Sequence, residues 1–452
     1  MKKKLVSLLL VCIMAMMSLV GCGTKKPAVA TQTPENQGKV LNIYCWNTEF
    51  QDRFEYFKKS GKLPADMKVN FIVTPSANNA YQNALDAALL KQDSAAADDK
   101  IDLFLVEADY ALKYVNSDYS IDVINDVGLT KEDVAGQYQY TKDIVTNTSG
   151  VQKGVTWQAT PGLFAYRRSI AKEVLGTDDP VKVQAALNGW TAFDAVAVKA
   201  NKLGYKMLSG YDDSYRTFSN NMAAPWVDKN NKIVVDANLM KWVDQTKTYT
   251  DKSYNNKTSL WDTTWAKDQG PTGKVFGFFY STWGINFTLL GNSLATPTTE
   301  GGKAEVGNGI FGDYAVCAGP QSYYWGGTWI CAAKGTDDLP VIKDLMYTMT
   351  CDSATLKSIT TDTQDYTNNV AAMKEIAASS FKSDFLGGQN HIALFSEVAP
   401  KIDMSKISPY DQGLNESFQN AFHDYFNGKV EIGVALDNFY KSAIEKYPNL
   451  SR

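Results

Sequence analysis

A strand-like apolar run, VLNIYCW, occupies residues 40–46. Phenylalanines with helical spacing follow it over residues 50–57. A second strand is predicted over 69–73, a helix over 81–89 and a third apolar strand over 101–106. Strands that alternate with helices in this way predict an α/β fold built on a mainly parallel sheet.

The chain has 452 residues, which is too long for a single hydrophobic core and predicts at least two domains. Further strands are predicted over 274–280, 313–318 and 328–333, and from residue 339 onward the pattern is mostly helical. The apolar fraction of 44% and the charged fraction of 21% are typical of a soluble globular protein, so disorder of the whole chain is excluded.

Several function classes find no support in the sequence. The formal net charge is -4 and no long basic stretch follows the N-terminus, which argues against nucleic acid as a partner. The two histidines, His391 and His423, are too few for a histidine-rich metal site. The sequence has no dinucleotide or phosphate-loop motif, no zinc-protease motif and no nucleophile elbow. We therefore expect no cofactor, no metal and no catalytic residues.

The first residues have the pattern of a targeting segment. Three lysines precede an apolar run over 5–20, which is shorter than a membrane span and has the flanks of a secretory signal. The run ends in Leu19-Val20-Gly21-Cys22, which resembles the bacterial lipobox. We expect residues 1–21 to be a lipoprotein signal peptide and Cys22 to carry a thioether-linked lipid, with palmitate among the acyl groups. An ordinary signal peptide with an incidental cysteine is the alternative.

The residues after Cys22 predict a flexible connection to the domain. Residues 22–39 are polar, contain two prolines and offer little apolar surface to bury. Beyond them remain four cysteines, for which disulfides and buried free thiols are both open: Cys45, Cys317, Cys331 and Cys351.

The tryptophans are the most informative side chains for function. Most lie next to Gly, Pro, Asn or Thr and not in the middle of an apolar helix. Aromatic faces pack on the C–H faces of sugar rings, while carboxylates and amides bind the hydroxyls. The core is an equal alternative for any one of them, and it is favoured for Trp242, Trp261 and Trp265 because of helical spacing.

Carboxylates end the third predicted strand, at Glu107 and Asp109. The carboxyl edge of an open α/β sheet is where such folds bind ligands, so both acids are candidates for accepting hydrogen bonds from sugar hydroxyls. Solvated surface acids are the favoured interpretation of Asp212 and Asp213.

In this order along the chain, the segments resemble a known family. They are the lipobox, 41–49, 101–109, 160–161 with 166–168, 189–194, 273–283, 314–320 and 410–413. Together they resemble the extracellular solute-binding lipoproteins of bacterial ATP-binding-cassette (ABC) sugar importers, the family that includes maltose-binding protein. Tyr166-Arg167-Arg168 departs from the commoner Tyr-Asn-Lys, and loops between 211 and 265 match no substrate group.

The resemblance implies a two-lobed periplasmic-binding-protein-like α/β fold, with a ligand cleft between lobes joined by hinge strands. Residues 40–153 and 275–337 would form the N-lobe, and 154–274 and 338–452 the C-lobe. Position in the family and the tryptophan pattern together give this ligand-binding set: Trp46, Asn47, Glu49, Glu107, Asp109, Trp157, Trp226, Tyr280, Trp283, Trp325 and Trp329.

The same resemblance implies a monomer, lipid-anchored at the outer face of the cytoplasmic membrane, that delivers a carbohydrate to ABC permease subunits. The carbohydrate would be an oligosaccharide. Two other classes stay open: a lipid-anchored glycoside hydrolase that uses two acids, and a surface glycan-binding lipoprotein that works without a transporter.

Overall fold

The computed structural model describes residues 38–452. The predicted signal peptide 1–21, the predicted lipidation site Cys22 and most of the predicted tether lie outside the described residues. The described strands are β1 (Val40–Cys45), β2 (Lys68–Val73), β3 (Leu103–Glu107), β4 (Gly162–Arg167), β5 (Gly277–Ser281), β6 (Tyr314–Cys317) and β7 (Thr328–Ala332).

Helices make up most of the remaining regular structure. The first nine are α1 (Glu49–Lys59), α2 (Ala80–Leu89), α3 (Ala111–Val115), α4 (Gln139–Asp143), α5 (Arg168–Leu175), α6 (Pro180–Ala186), α7 (Trp190–Lys202), α8 (Tyr215–Ser219) and α9 (Ala237–Asp251). The others are α10 (Thr263–Asp268), α11 (Thr282–Gly284), α12 (Leu290–Ser293), α13 (Leu339–Thr350), α14 (Ser353–Thr363), α15 (Val370–Ala377), α16 (His391–Val398), α17 (Asp411–Phe426) and α18 (Ile432–Lys446). A π-helical turn, Ile285–Leu289, connects α11 to α12.

The first lobe is built on a four-stranded sheet in the order β2-β1-β3-β7. β1 pairs in parallel with β2 and with β3, while β7 runs antiparallel to β3, from Leu103 opposite Ala332 to Glu107 opposite Thr328. β3 is buried from Leu103 to Val106, which explains why its sequence is continuously apolar. The phenylalanines of α1 pack against β1, as their spacing predicts.

The second lobe contains a three-stranded antiparallel sheet in the order β5-β4-β6. Helices α8, α9, α17 and α18 pack together around a separate aromatic cluster that includes Trp226, Trp242 and Phe418. The mixed α/β, two-lobed architecture predicted from the sequence is confirmed.

The lobe boundaries differ from those expected. Strands β5 and β6 pair with β4 in the second sheet, although residues 275–337 were expected in the N-lobe, and only β7 of that range joins the first sheet. Helices α13 and α14 pack with α1 in the core of the first lobe, not in the C-lobe. An amphipathic pattern shows that a helix buries one face, but not which sheet that face covers.

The chain passes between the two lobes at residues 156–161, 324–327 and 365–368. Two isolated bridges hold these segments side by side, between Gln158 and Thr367 and between Pro161 and Tyr324. Within residues 38–452 we find no helix with the length and apolar character needed to cross a membrane. Cys45, Cys317, Cys331 and Cys351 are free thiols in this structure.

Candidate binding cleft between the two lobes

A bidentate ion pair joins the lobes across the cleft. Asp109 lies two residues beyond the end of β3 in the first lobe, and Arg216 lies on α8 in the second. Arg216 Nη1 donates to Asp109 Oδ1 at 2.7 Å and Nη2 donates to Oδ2 at 2.5 Å. The Arg216 and Asp109 side chains are only 19% and 12% exposed. This fork geometry is the strong form of an ion pair, so the two lobes are held together at this point.

Further carboxylates surround Arg216. The backbone N–H of Asp109 donates to Glu107 Oε2 at 2.8 Å, which turns the Glu107 carboxylate toward the same place. Burial, reinforced by the charge of Asp109, raises the pKa of Glu107 to about 8. Burial also raises the pKa of Asp411, at the start of α17, to about 7. One arginine thus faces three acids, and burial raises the pKa of two of them, Glu107 and Asp411.

The crossing segment 324–327 forms the floor beside this ion pair. The backbone N–H of Tyr324 donates to Asn220 Oδ1 at 2.8 Å, which ties the segment to the end of α8. The cavity left here is about 20 Å³ and is lined by Asp109, Arg216, Tyr324 and neighbouring residues. That space suits a water molecule and not a sugar ring, so a ligand would enter here only by separating Asp109 from Arg216.

A tryptophan cluster lies next along the same crossing segment. The rings of Trp261 and Trp283 are near-parallel, at 20° with centroids 6.2 Å apart. Trp325 contacts both, at centroid distances of 5.8 and 5.5 Å. Trp283 Nε1 donates to the carbonyl oxygen of Trp325 at 3.0 Å. Gly326 has φ +67, and a Cβ there would lie 3.1 Å from Trp283 Nε1, so a side chain at this position would be strained against the indole.

Trp261 is the exposed member of this tryptophan cluster. It is 56% exposed, whereas Trp265 is 2% exposed and donates from Nε1 to Asp213. Trp261 also has φ +72, a conformation that side chains other than Gly rarely adopt. A large aromatic ring held open to solvent in an unfavourable backbone conformation is typical of a functional site.

A polar network connects the cleft to the hinge. Gln158 Nε2 donates to Glu49 Oε1 at 2.8 Å and to Asp365 Oδ2 at 3.0 Å. Thr282, which precedes Trp283, donates to the other oxygen of Asp365. Burial raises the pKa of Glu49 to about 7, against the lowering effect of Arg53. The network therefore links the start of α1 through two crossing segments to the tryptophan cluster.

A wider groove of about 570 Å³ opens between the lobes on the far side of Tyr110. Its walls are rich in amides and tyrosines, and Gln82 on α2 donates to Gln412 on α17 across it at 3.0 Å. A volume of this size is in the range of small-ligand sites. The polar lining residues are Asn79, Gln82, Asn83, Tyr110, Lys113, Asn116, Ser117, Tyr410, Gln412, Lys446 and Tyr447.

Comparison with known proteins identifies this architecture. No protein-family model matches the sequence, and a search of curated proteins found no match. A solved structure of an extracellular solute-binding protein of family 1 superimposes with a TM-score of 0.72 at 15% identity, covering 90% of this chain and 99% of that one. The chain has the fold of the family 1 extracellular solute-binding proteins.

Solute-binding proteins that were solved with sugars superimpose as well. An ABC-transporter-associated binding protein from B. animalis subsp. lactis, in complex with β-1,6-galactobiose, gives a TM-score of 0.65 at 14% identity over 91% of this chain and 98% of that one. A Staphylococcus aureus extracellular solute-binding protein in complex with maltose gives 0.61 at 16% identity over 91% and 98%.

Within this solute-binding fold, several predicted site residues come together. Glu107 and Asp109 face Arg216, and Trp283, Trp325 and Tyr280 belong to the tryptophan cluster, although Tyr280 itself is fully buried. Glu49 joins the hinge network. Trp46 packs edge-on against Tyr81 and Tyr110, beside the wider groove. Asn47 is exposed and accepts a hydrogen bond from the backbone N–H of Glu49.

Three predicted site residues are not brought to the cleft. Trp157, Trp226 and Trp329 are each 0% exposed. Trp157 packs on Phe50 at 5.4 Å, and Trp226 packs on Phe418 and Phe439. Trp329 is the second residue of β7 and lies opposite Val106 of β3. These rings were predicted to bind ligand because glycine, proline or amide residues neighbour them in the sequence. Tertiary packing places them in the core instead.

Sequence reasoning missed other residues of the cleft. Arg216 and Tyr324 lie in segments without periodicity, and no sequence signal connects them to Asp109. Trp261 was assigned to the core because of its i, i+4 spacing to Trp265. The structure shows that α10 begins at Thr263, so the two rings do not share a helix face.

Proposed function

We propose that this chain binds a carbohydrate, an oligosaccharide, in the cleft between its lobes and delivers it to the permease subunits of an ABC importer. The observation that carries the proposal is Trp261, an exposed ring held at positive φ parallel to Trp283. Such a ring offers a flat apolar face for a pyranose, and the fold supplies two lobes that can close on it.

The polar groups of the cleft suit a polyhydroxyl ligand. A sugar hydroxyl both donates and accepts hydrogen bonds. Asp109 accepts, the Arg216 guanidinium donates, and a protonated Glu107 can do either. When the lobes open, the ion pair separates. Sugar hydroxyls can then make hydrogen bonds to Asp109 and to Arg216 in place of those that the two residues made to each other. Binding exchanges one set of charge-assisted hydrogen bonds for another, which keeps it reversible.

Membrane attachment through Cys22 is part of the proposal. The lipobox sequence Leu19-Val20-Gly21-Cys22 supports a lipid anchor at the outer face of the cytoplasmic membrane. Replacement of Cys22 with Ala should release the protein from the membrane fraction of cells. Full retention of that variant would mean that another anchor exists.

A panel of mono- and oligosaccharides, tested by thermal shift, is the first experiment. A ligand that binds the folded state alone raises the melting temperature according to its affinity. The same incubations, analysed by chromatography, should return every sugar intact. Cleavage would favour the glycoside hydrolase alternative, which the raised pKa of Glu107 supports because a general acid must be protonated near neutral pH.

Two neighbouring tryptophans give a matched pair of variants for the sugar that the panel identifies. Trp261→Ala should leave the melting temperature nearly unchanged and weaken binding about tenfold or more, because an exposed stacking face is lost. Trp265→Ala should cost about 3–5 kcal/mol of folding free energy, since a buried ring is removed. Unchanged affinity of Trp261→Ala in calorimetry would contradict its assignment as the stacking platform.

A further inference from the structure

Three buried aspartates meet at the end of the first sheet that lies away from the cleft. Asp102 directly precedes β3, and Asp337 and Asp338 directly precede α13. Their exposed fractions are 0%, 5% and 2%. One carboxylate oxygen of each residue lies within 4.8 Å of the other two. β3 separates this aspartate cluster from Glu107 by about 17 Å, so it is no part of the binding cleft.

Two oxygens of the aspartate cluster have no hydrogen-bond partner among the residues that the structure describes. Asp102 accepts hydrogen bonds from Asn42 N at 2.7 Å and from Thr336 Oγ1 at 2.6 Å. Asp337 Oδ2 accepts from Gly38 N at 2.5 Å. Asp337 Oδ1 and Asp338 Oδ2 are buried and make no hydrogen bond within residues 38–452. Leaving a buried carboxylate oxygen unpaired is costly, so a ligand is expected there.

The orientation of Asp338 adds a second observation. Asp338 is the N-cap residue of α13, a position where Asp normally accepts a hydrogen bond from the first turn of the helix. Its side chain makes no such bond here. The carboxylate points instead into the aspartate cluster, although Asp337 and Asp102 repel it there.

No positive charge balances the aspartate cluster in the described part of the chain. None of the ion pairs found between residues 38 and 452 includes Asp102, Asp337 or Asp338. Three carboxylates in this setting need either protons or a cation.

We propose that Asp102, Asp337 and Asp338 bind a Ca²⁺ ion that ties the start of β3 to the start of α13. Ca²⁺ takes six to eight oxygen ligands at about 2.3–2.6 Å, so two oxygens on one ion can lie up to about 5 Å apart. The observed spacing fits this limit. Mg²⁺ would need shorter distances of about 2.0–2.1 Å and regular octahedral geometry, which three aspartates from two segments do not provide. Water completes the coordination shell.

Calorimetric titration of the full chain with CaCl₂, after removal of bound metal with a chelator, tests the proposal. We expect saturable binding to one site with a Kd below about 1 mM, and a rise in the melting temperature of about 3 °C at saturation. Mg²⁺ at the same concentration should give a smaller rise. Binding of Mg²⁺ as tight as that of Ca²⁺ would overturn the assignment to calcium.

Matched variants locate the ion. Asp337→Asn and Asp338→Asn should each weaken Ca²⁺ binding at least about tenfold, because each removes a charged ligand. Asp99→Asn is the control, since Asp99 is exposed, lies three residues before Asp102 and is outside the aspartate cluster. No saturable binding to the unaltered chain, or equal weakening by Asp99→Asn, would overturn the proposal. The proposal would also be overturned if the aspartates share protons and bind no ion. In that case Asp338→Asn would raise the melting temperature, and Ca²⁺ would not change the melting temperature of the unaltered chain.

Discussion

The two ends of β3 bury carboxylates in opposite ways. At its carboxyl end, Glu107, Asp109 and the more distant Asp411 surround Arg216. At its amino end, the aspartate cluster has no ion-pair partner within the described residues. The carboxyl-end charges come from both lobes, whereas the amino-end charges all come from the first lobe.

This difference separates a movable site from a fixed one. Opening the lobes pulls Arg216 away from Asp109 and hydrates both, so the cost of breaking that pair depends on the conformation of the protein. The aspartate cluster stays assembled in every arrangement of the lobes, because β3 and α13 belong to one core. The first arrangement suits a ligand that comes and goes, and the second suits an ion that stabilises one lobe.

Among the variants that test this difference, Arg216→Met should have the largest effect, which is to open the lobes. Removing one partner of a buried ion pair costs about 3–5 kcal/mol, and here opening of the lobes relieves that cost by hydrating the acids. We expect a larger radius of gyration than that of the unaltered chain at pH 7.5, measured by small-angle scattering. The closed form should return as the pH falls further below the raised pKa of Glu107, because fewer of the acids are then ionised and their repulsion weakens.

Arg167→Met is the matched control for that experiment. Arg167 Nε donates to Asp313 at 2.8 Å, and both residues belong to the second lobe. This variant should lose stability in chemical denaturation, while its radius of gyration stays unchanged. If Arg216→Met keeps the dimensions of the unaltered chain at pH 7.5, the ion pair does not hold the lobes together.

Glu107→Gln should have an intermediate effect that depends on pH. The folded-state pKa of Glu107, about 8, lies above its ordinary value, so the folded chain binds this proton more tightly than the unfolded chain does. The stability that comes from this proton is fully present below the ordinary pKa and is lost as the pH rises toward 8. The Glu107→Gln variant has no such proton to lose, so between pH 5 and pH 8 its free energy of unfolding should gain on the order of 3 kcal/mol relative to the unaltered chain.

Urea denaturation at several pH values measures this difference. Added Ca²⁺ should stabilise both proteins equally, because Glu107 lies at the other end of β3 from the proposed ion. Parallel pH profiles of Glu107→Gln and the unaltered chain would show that Glu107 ionises normally. A Ca²⁺ response that disappears in Glu107→Gln would show that the two ends of β3 are not independent.

Elements defined by local pattern could be predicted from the sequence. β3 is apolar from Leu103 to Val106, and β1 is apolar except for Asn42, because a mostly parallel sheet buries both of its faces. α1 follows from the spacing of Phe50, Phe54 and Phe57, which all lie in the core of the first lobe. Glu107 and Asp109 follow from their position at the carboxyl edge of the sheet, which the order of strands and helices already indicates.

Features that depend on distant pairing could not be predicted. Arg216 meets Asp109 across 107 residues of sequence, and nothing in its surroundings marks it as a partner. The same limitation explains why α13 was assigned to the wrong lobe, since its apolar face fits any sheet of suitable size. Asp337 and Asp338 look like ordinary residues before a helix, and they meet Asp102 only when β7 pairs with β3.

Gln412→Ala should have the smallest effect, because it removes a neutral contact at the carboxyl end of β3. Gln82 Nε2 donates to Gln412 Oε1 at 3.0 Å, so this hydrogen bond joins the lobes as the ion pair does, but without charge. A neutral hydrogen bond contributes about 0.5–1.5 kcal/mol, so the open population should rise roughly two- to tenfold. Spin labels at the exposed positions Leu90 and Val181, one in each lobe, would report that population as a distance distribution. Gln419→Ala is the control, because Gln419 bonds to Asn415 within α17 and should leave the distribution unchanged. Should Gln412→Ala instead raise the open population as much as Arg216→Met does, that result would mean that contact between the lobes, and not the charge of Arg216, decides closure. The contrast between the two ends of β3 would then no longer rest on how their charges are balanced.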